Sequence, residues 1–165
     1  MAASHAPKAE ERTLVECRLD DGQRLVALNE LFIGHASHQT ARYRLEVGGE
    51  TERQMSSGMI VATGTGATGW ANSICRGMAG KGPTLPEPGE RTLVFLVREA
   101  YAGPVSGVTL TAGVPAGEES LKVTSEMDAG GAVFGDGIEA DRVEFGYGMR
   151  AEVRVAGERL RLLAG

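Results

Sequence analysis

Residues 63–73 read Thr-Gly-Thr-Gly-Ala-Thr-Gly-Trp-Ala-Asn-Ser and follow the apolar run Met59-Ile60-Val61. Gly64, Gly66 and Gly69 spell G-x-G-x-x-G, the string that opens the crossover helix of a Rossmann-type dinucleotide fold. Such a fold also needs a long helix after the turn, then a parallel strand ending in an acidic residue about 20 positions on. Here the helix-compatible stretch, Thr68–Met78, is short and interrupted by glycine. Glu87 and Glu90 fall near the required distance, but they sit in Ala79–Glu90, AGKGPTLPEPGE, where prolines and glycines exclude a regular element. The Rossmann reading fails. The glycines keep a different meaning: without Cβ atoms, the backbone of this turn can approach another chain segment or a ligand closely.

Outward from this turn the pattern is that of short strands. Thr13–Leu19 alternates polar and apolar residues, Asp21-Gly22 is a tight hairpin signal, and Arg24–Ile33 reads as the next strand. Arg42–Val47 and Thr51–Met55 flank Gly48-Gly49, and Met59–Ala62 is apolar throughout, as expected of a strand buried on both faces. Further strands are expected at Thr92–Arg98, Val108–Thr111, Leu121–Thr124, Gly131–Phe134, Arg142–Phe145, Ala151–Val155 and Arg159–Leu163. About a dozen short strands and one short helix predict an all-β antiparallel sandwich or barrel-like domain, not repeated βαβ units.

A chain of 165 residues suits one domain with its own core, here assigned to 13–165, with residues 1–12 expected to form a flexible leader left by truncation. The net charge of −5 and the scattered Lys and Arg residues argue against a nucleic-acid groove. No apolar run reaches the ~20 residues of a bilayer span, and the N-terminus lacks a signal-peptide core. Cys17 and Cys75 have no metal or disulfide spacing and are expected as reduced thiols in a cytoplasmic protein.

Two segments carry chemistry. In the glycine turn, Thr63, Thr65, Thr68 and Ser73 offer hydroxyls for ribose and phosphate oxygens, and Thr68 is placed to cap a helix whose N-terminus favours an anion. Trp70 either stacks on a planar ring or plugs the core. In RLVALNELFIGH, Asn29 and Glu30 are flanked by apolar residues on both sides. A carboxylate in that setting needs partners or stays neutral, and beside an amide it suits the two hydroxyls of a ribose.

Taken together, ALNELFIGH (27–35), SSGMIVATGTGATGWANSI (56–74) and VFGDGIEADRVEFGYGMRAEVRV (133–155) resemble the C-terminal domain of the NAD kinase family. That family has an Asn-Glu or Asn-Asp pair, then an apolar strand leading into T-P-T-G-S-T-A-Y-x-x-S, then terminal strands with an Asp-Gly turn. The resemblance runs from Arg12 to Leu163. It implies a β-sandwich domain that binds substrate for an enzyme moving the γ-phosphate of ATP, with Mg²⁺, to the 2′-hydroxyl of NAD. Asn29 and Glu30 would face the ribose and nicotinamide side of NAD, and Ser57, Thr65, Thr68, Gly69, Trp70 and Ser73 would take nucleotide-contacting positions.

The chain departs from the family at several of them. Trp70 stands for tyrosine, Gly69 for alanine, Gly64 for proline, and Ser57 for an aspartate before glycine. The G-G-D-G-T phosphate loop of the family's preceding α/β domain has no counterpart here. The catalytic groups and the Mg²⁺·ATP cradle are thus expected from that missing partner domain, with no catalytic residue and no tightly bound cofactor in this chain, which alone is expected to be inactive. Loss of a partner domain exposes apolar surface, so self-association is a further expectation. A related sugar or lipid kinase, or a non-catalytic sandwich that assembles with itself or with a partner, is the alternative.

Among the remaining polar clusters, Asp136, Glu139 and Asp141 lack the spacing of a calcium loop and read as a solvated acidic turn. His35 and His38 have no third ligand nearby and read as loop histidines, and Tyr43 and Tyr147 as strand aromatics.

Overall fold

The computed structural model of this chain describes residues 8–164 apart from His38, so the histidine reading at position 38 lies outside the described residues. Among the described residues, twelve strands form two antiparallel six-stranded sheets. The first contains β1 (Lys8–Leu19), β2 (Arg24–Ala27), β4 (Ala41–Val47), β5 (Glu50–Ser56), β9 (Leu121–Ser125) and β12 (Arg150–Ala164), in the order β2-β1-β12-β9-β4-β5. The second contains β3 (Glu30–His35), β6 (Met59–Ala62), β7 (Val94–Val97), β8 (Ala112–Gly113), β10 (Gly131–Gly135) and β11 (Val143–Glu144), in the order β11-β10-β3-β6-β7-β8. The all-β sandwich expected from the strand pattern is the architecture found.

Period-two alternation sorts the side chains between the faces. Along β4, Ala41, Tyr43 and Leu45 are buried while Arg42 and Arg44 are exposed. These residues meet Leu31, Ile33, Met59, Val61, Phe95 and Val133 of the second sheet in one shared core. β6 is central in its sheet and buried at all four positions, because both of its faces are covered. The outer cover is a helix, α1 (Trp70–Gly77), whose Ala71, Trp70 and Ile74 pack on Phe32, Ile60, Ala62, Val94, Leu96 and Phe134. The Gly48-Gly49 turn closes the β4–β5 hairpin with both glycines in the left-handed region, φ 62° and 76°.

Several expected elements change. Arg24–Ile33 is not one strand: β2 and β3 belong to different sheets, and the chain crosses between them at Leu28-Asn29. The segments 151–155 and 159–163 merge into one strand, β12, which pairs with β1 from Ala151 to Ala164. β1 begins at Lys8, five residues before Thr13, so residues 8–12 of the expected leader are strand; residues 1–7 lie outside the described residues. Residues 108–111 form no strand, because the Glu52 carboxylate takes the amides of Thr109 and Leu110 and holds this segment as a bend over the β5 edge. Tyr43 is a buried strand aromatic whose hydroxyl lies 2.9 Å from Ser56 Oγ, but Tyr147 sits in a turn and is 69% exposed.

On the outside of the first sheet, Glu16 is 1% exposed and ringed by guanidinium groups. Its carboxylate accepts from Arg154 Nε at 2.7 Å, Arg24 Nε at 2.7 Å and Arg18 Nε at 3.2 Å. Burial pushes this carboxyl up, but the three hydrogen bonds outweigh it and hold the group at about 2. Cys17, next in the strand, faces the core, and burial pushes its thiol up to about 12. Both cysteines are free. No helix among the described residues is long and apolar enough to cross a membrane.

Candidate functional site

The glycine turn packs against the crossover at Leu28-Asn29. Thr63 is fully buried, and its hydroxyl donates to the Leu28 carbonyl at 2.6 Å while its amide donates to the Asn29 carbonyl at 2.9 Å. The same hydroxyl accepts the Gly66 amide at 3.3 Å. Contact here is backbone to backbone: a Cβ on Gly66 would stand 2.1 Å from the Asn29 carbonyl oxygen. On the other side, a Cβ on Gly64 would stand 2.0 Å from the Glu87 carbonyl oxygen. The first two glycines of the G-x-G-x-x-G are therefore packing glycines, wedged between the crossover and the proline-rich loop.

A third segment completes the cluster. The Asp136 carboxylate accepts the amides of Asn29 at 2.6 Å and Leu28 at 2.9 Å, while its own amide donates to the Glu30 carbonyl at 2.9 Å. Asp136 occupies the left-handed region, φ 53°, which Asp tolerates better than most residues. This corrects the reading of 136–141 as a wholly solvated turn. Glu139 and Asp141 are exposed, but Asp136 is half-buried and anchors the crossover. Asp136→Ala is expected to cost about 2 kcal/mol, because it strips two half-buried amides of a charged acceptor. Hydrogen exchange at Leu28 and Asn29 should then accelerate at least tenfold, and an unchanged rate at both would show that Asp136 does not hold the crossover.

Glu30 emerges next to this anchor, on the outer face of the second sheet with Phe32 and Gly34. It is half-buried, and among the described residues its carboxylate has no hydrogen-bond or ion-pair partner. Burial first, and the nearby Asp136 charge second, push its carboxyl above the usual carboxylate range. A half-buried carboxylate without a protein donor is the arrangement a ligand hydroxyl can complete.

The remaining expected residues divide in two. Thr65 lies in the 3-10 turn region beside Gly66, its hydroxyl buried and without a partner among the described residues. Thr68 is exposed and does not cap α1: its hydroxyl turns back to the Thr65 carbonyl at 3.0 Å, and the cap position is Gly69, with no side-chain cap. Ser73 is exposed on the first turn of the helix, its amide bonded to the Gly69 carbonyl at 3.2 Å.

Trp70 and Ser57 come together elsewhere, in a cleft of about 300 Å³ on the same outer face, lined also by Phe32, Phe134, Arg98 and Glu99. Phe32 stacks with Trp70 at 6.1 Å and 8° between planes, and leans on Phe134 at 4.9 Å. Its ring lies over two glycines, since a Cβ on Gly34 or Gly58 would come within 2.5 Å or 2.6 Å of it. Ser57 donates its hydroxyl to the Glu99 carboxylate. The Arg98 guanidinium carbon lies 4.9 Å from the Trp70 ring centre.

Asp136 and Arg98 escaped the sequence reading as contributors. The G-D-G string and the ending of the β7 run in Arg-Glu were visible, but nothing local says that either reaches across the fold. A scan of protein-family models gives no match to this chain, and neither does a search of curated proteins.

Proposed function

We propose that this chain is the acceptor-binding β-domain of an NAD-kinase-like phosphotransferase, acting on the 2′-hydroxyl of NAD in a cytoplasmic setting. The observation that carries the reading is the meeting of three remote segments. Asn29-Glu30, the turn from Thr63 and the Asp136-Gly137 turn are the stretches on which the family resemblance rests, and they are hydrogen-bonded into one cluster. Beside it stand the unpartnered Glu30 carboxylate, suited to a ribose diol, and an aromatic cleft suited to a ring.

Phosphoryl transfer also needs a triphosphate cradle and its metal. Among the described residues no three His, Cys, Asp or Glu side chains gather to hold an ion. In this reading a separate α/β domain supplies the Mg²⁺·ATP cradle.

The chain's one tryptophan, Trp70, reports on the site. Titration with NAD is expected to change its fluorescence saturably, and Glu30→Ala to weaken the binding by roughly tenfold or more. No saturable change with NAD at millimolar concentration would remove the proposal, and wild-type affinity in Glu30→Ala would remove Glu30 from the site.

A second reading, a sandwich that assembles with another copy of itself, is favoured by one observation. Val105 and Tyr147, 64% and 69% exposed, flank Met55 in a groove of about 390 Å³ rimmed by Arg42, Arg53 and Glu126. Tyr, Met and Arg are residues enriched at protein interfaces.

A further inference from the structure

We infer that Arg98 is a specificity-determining residue of this domain, and that its guanidinium takes the phosphate of a nucleoside monophosphate unit whose ring packs on Phe32, Phe134 and Trp70. The inference rests on the acceptor-binding reading and goes beyond it by naming the anionic group and the residue that selects it.

Arg98 is held at its backbone and free at its tip. Its amide donates to the Gly58 carbonyl at 2.8 Å, and its carbonyl accepts the Ser57 amide at 2.8 Å, so the residue continues the β6–β7 ladder. It is half-buried, yet it enters none of the ion pairs among the described residues; its guanidinium is steadied by the Trp70 ring. The nearest carboxylate in sequence, Glu99, is diverted: its backbone is left-handed at φ 50°, and its side chain is occupied by the Ser57 hydroxyl. A planar guanidinium lying on an aromatic face, with its forked donors uncommitted, matches two oxygens of a phosphate.

The walls set what else the ligand carries. A cleft of about 300 Å³ is at the small end of ligand sites and accommodates one ring with its phosphate. Glu99 and Glu139 also line it, and their charges oppose a bare multivalent anion. The phosphate must therefore arrive with a ring that gains from burial against Phe32, Phe134 and Trp70.

The test is calorimetric titration of wild type, Arg98→Lys and Arg98→Met with AMP, adenosine, inorganic phosphate and NAD. Wild type should bind AMP roughly tenfold or more tightly than adenosine, and inorganic phosphate more weakly than AMP. Arg98→Met should erase the preference for AMP while leaving adenosine unchanged, and Arg98→Lys should keep part of it. Equal binding of AMP and adenosine to wild type, an absence of binding by both, or inorganic phosphate binding as well as AMP overturns the inference. An equal loss of AMP and adenosine in Arg98→Met also overturns it, assigning Arg98 to holding Trp70. If the Arg98 pattern is seen with AMP but NAD does not bind, the inference stands and the NAD acceptor reading falls. If NAD binds wild type and Arg98→Met alike, the acceptor reading stands and the inference falls.

Discussion

Gly66→Ala is expected to lower stability by about 3 kcal/mol or more, seen as a drop of roughly 6–12 °C in the thermal midpoint for a domain of this size. The added methyl would stand 2.1 Å from the Asn29 carbonyl oxygen and 2.5 Å from its carbon. Both are backbone atoms, fixed by the Thr63 amide on one side and the Asp136 carboxylate on the other. Relief therefore requires moving the turn away from the crossover, which breaks the bonds from Thr63 to Leu28 and Asn29. Gly77→Ala is the control: a Cβ there meets nothing within 4 Å, and alanine at the end of α1 should shift stability by no more than about 0.5 kcal/mol. Equal midpoints for the two variants would mean that close packing of the turn on Asn29 is dispensable.

Glu16→Gln should destabilise the protein by about 2 kcal/mol at neutral pH, and the loss should vanish in acid. The folded carboxyl sits near 2 against an ordinary value of 4.5. At ~1.4 kcal/mol per unit this difference amounts to about 3.5 kcal/mol, reduced because the surrounding arginines are a third to a half exposed and screened by solvent. The sign follows from the direction of the shift. A depressed carboxyl contributes its full stabilisation above the unfolded value and loses it as pH falls through the folded one. Urea unfolding of wild type and Glu16→Gln should thus differ fully at pH 7, begin to converge below about 4.5 and coincide near 2. A gap that stays constant over that range would show that the arginines do not hold Glu16 charged.

Local pattern carried the strands well, because each face decides its own residues. Ala41-Arg42-Tyr43-Arg44-Leu45 alternates because one side is core and the other water, and Met59–Ala62 does not alternate because both sides are covered. Gly48-Gly49 was legible for the same reason: the backbone demand is local. The crossover at Leu28-Asn29 was not. Nothing in Arg24–Ile33 interrupts its apolar run strongly enough, and the break is imposed by a carboxylate more than a hundred residues away. The expected cap at Thr68 failed similarly, since its hydroxyl found the Thr65 carbonyl and left Gly69 at the helix start. Of the expected contact residues, Asn29 and Glu30 stand at the threonine turn, while Ser57 and Trp70 face a cleft whose other walls, Phe32, Phe134 and Arg98, come from three separate strands or their ends.

The long β1–β12 ladder imposes an order on how the molecule is made. β1 lies between β2 and β12, and its partners in β12 follow it by about 130 to 155 residues. While the chain is being synthesised, β1 can pair on one side only, with the four residues of β2, and most of its length waits as an open strand edge. The first sheet closes only when β12 has emerged, and the loop closed by that late pairing makes the step slow. Nascent chains stalled before residue 150 should therefore be the aggregation-prone and chaperone-dependent form of this protein, whereas the β3–β6–β7 portion of the second sheet has all its strands in hand by Val97.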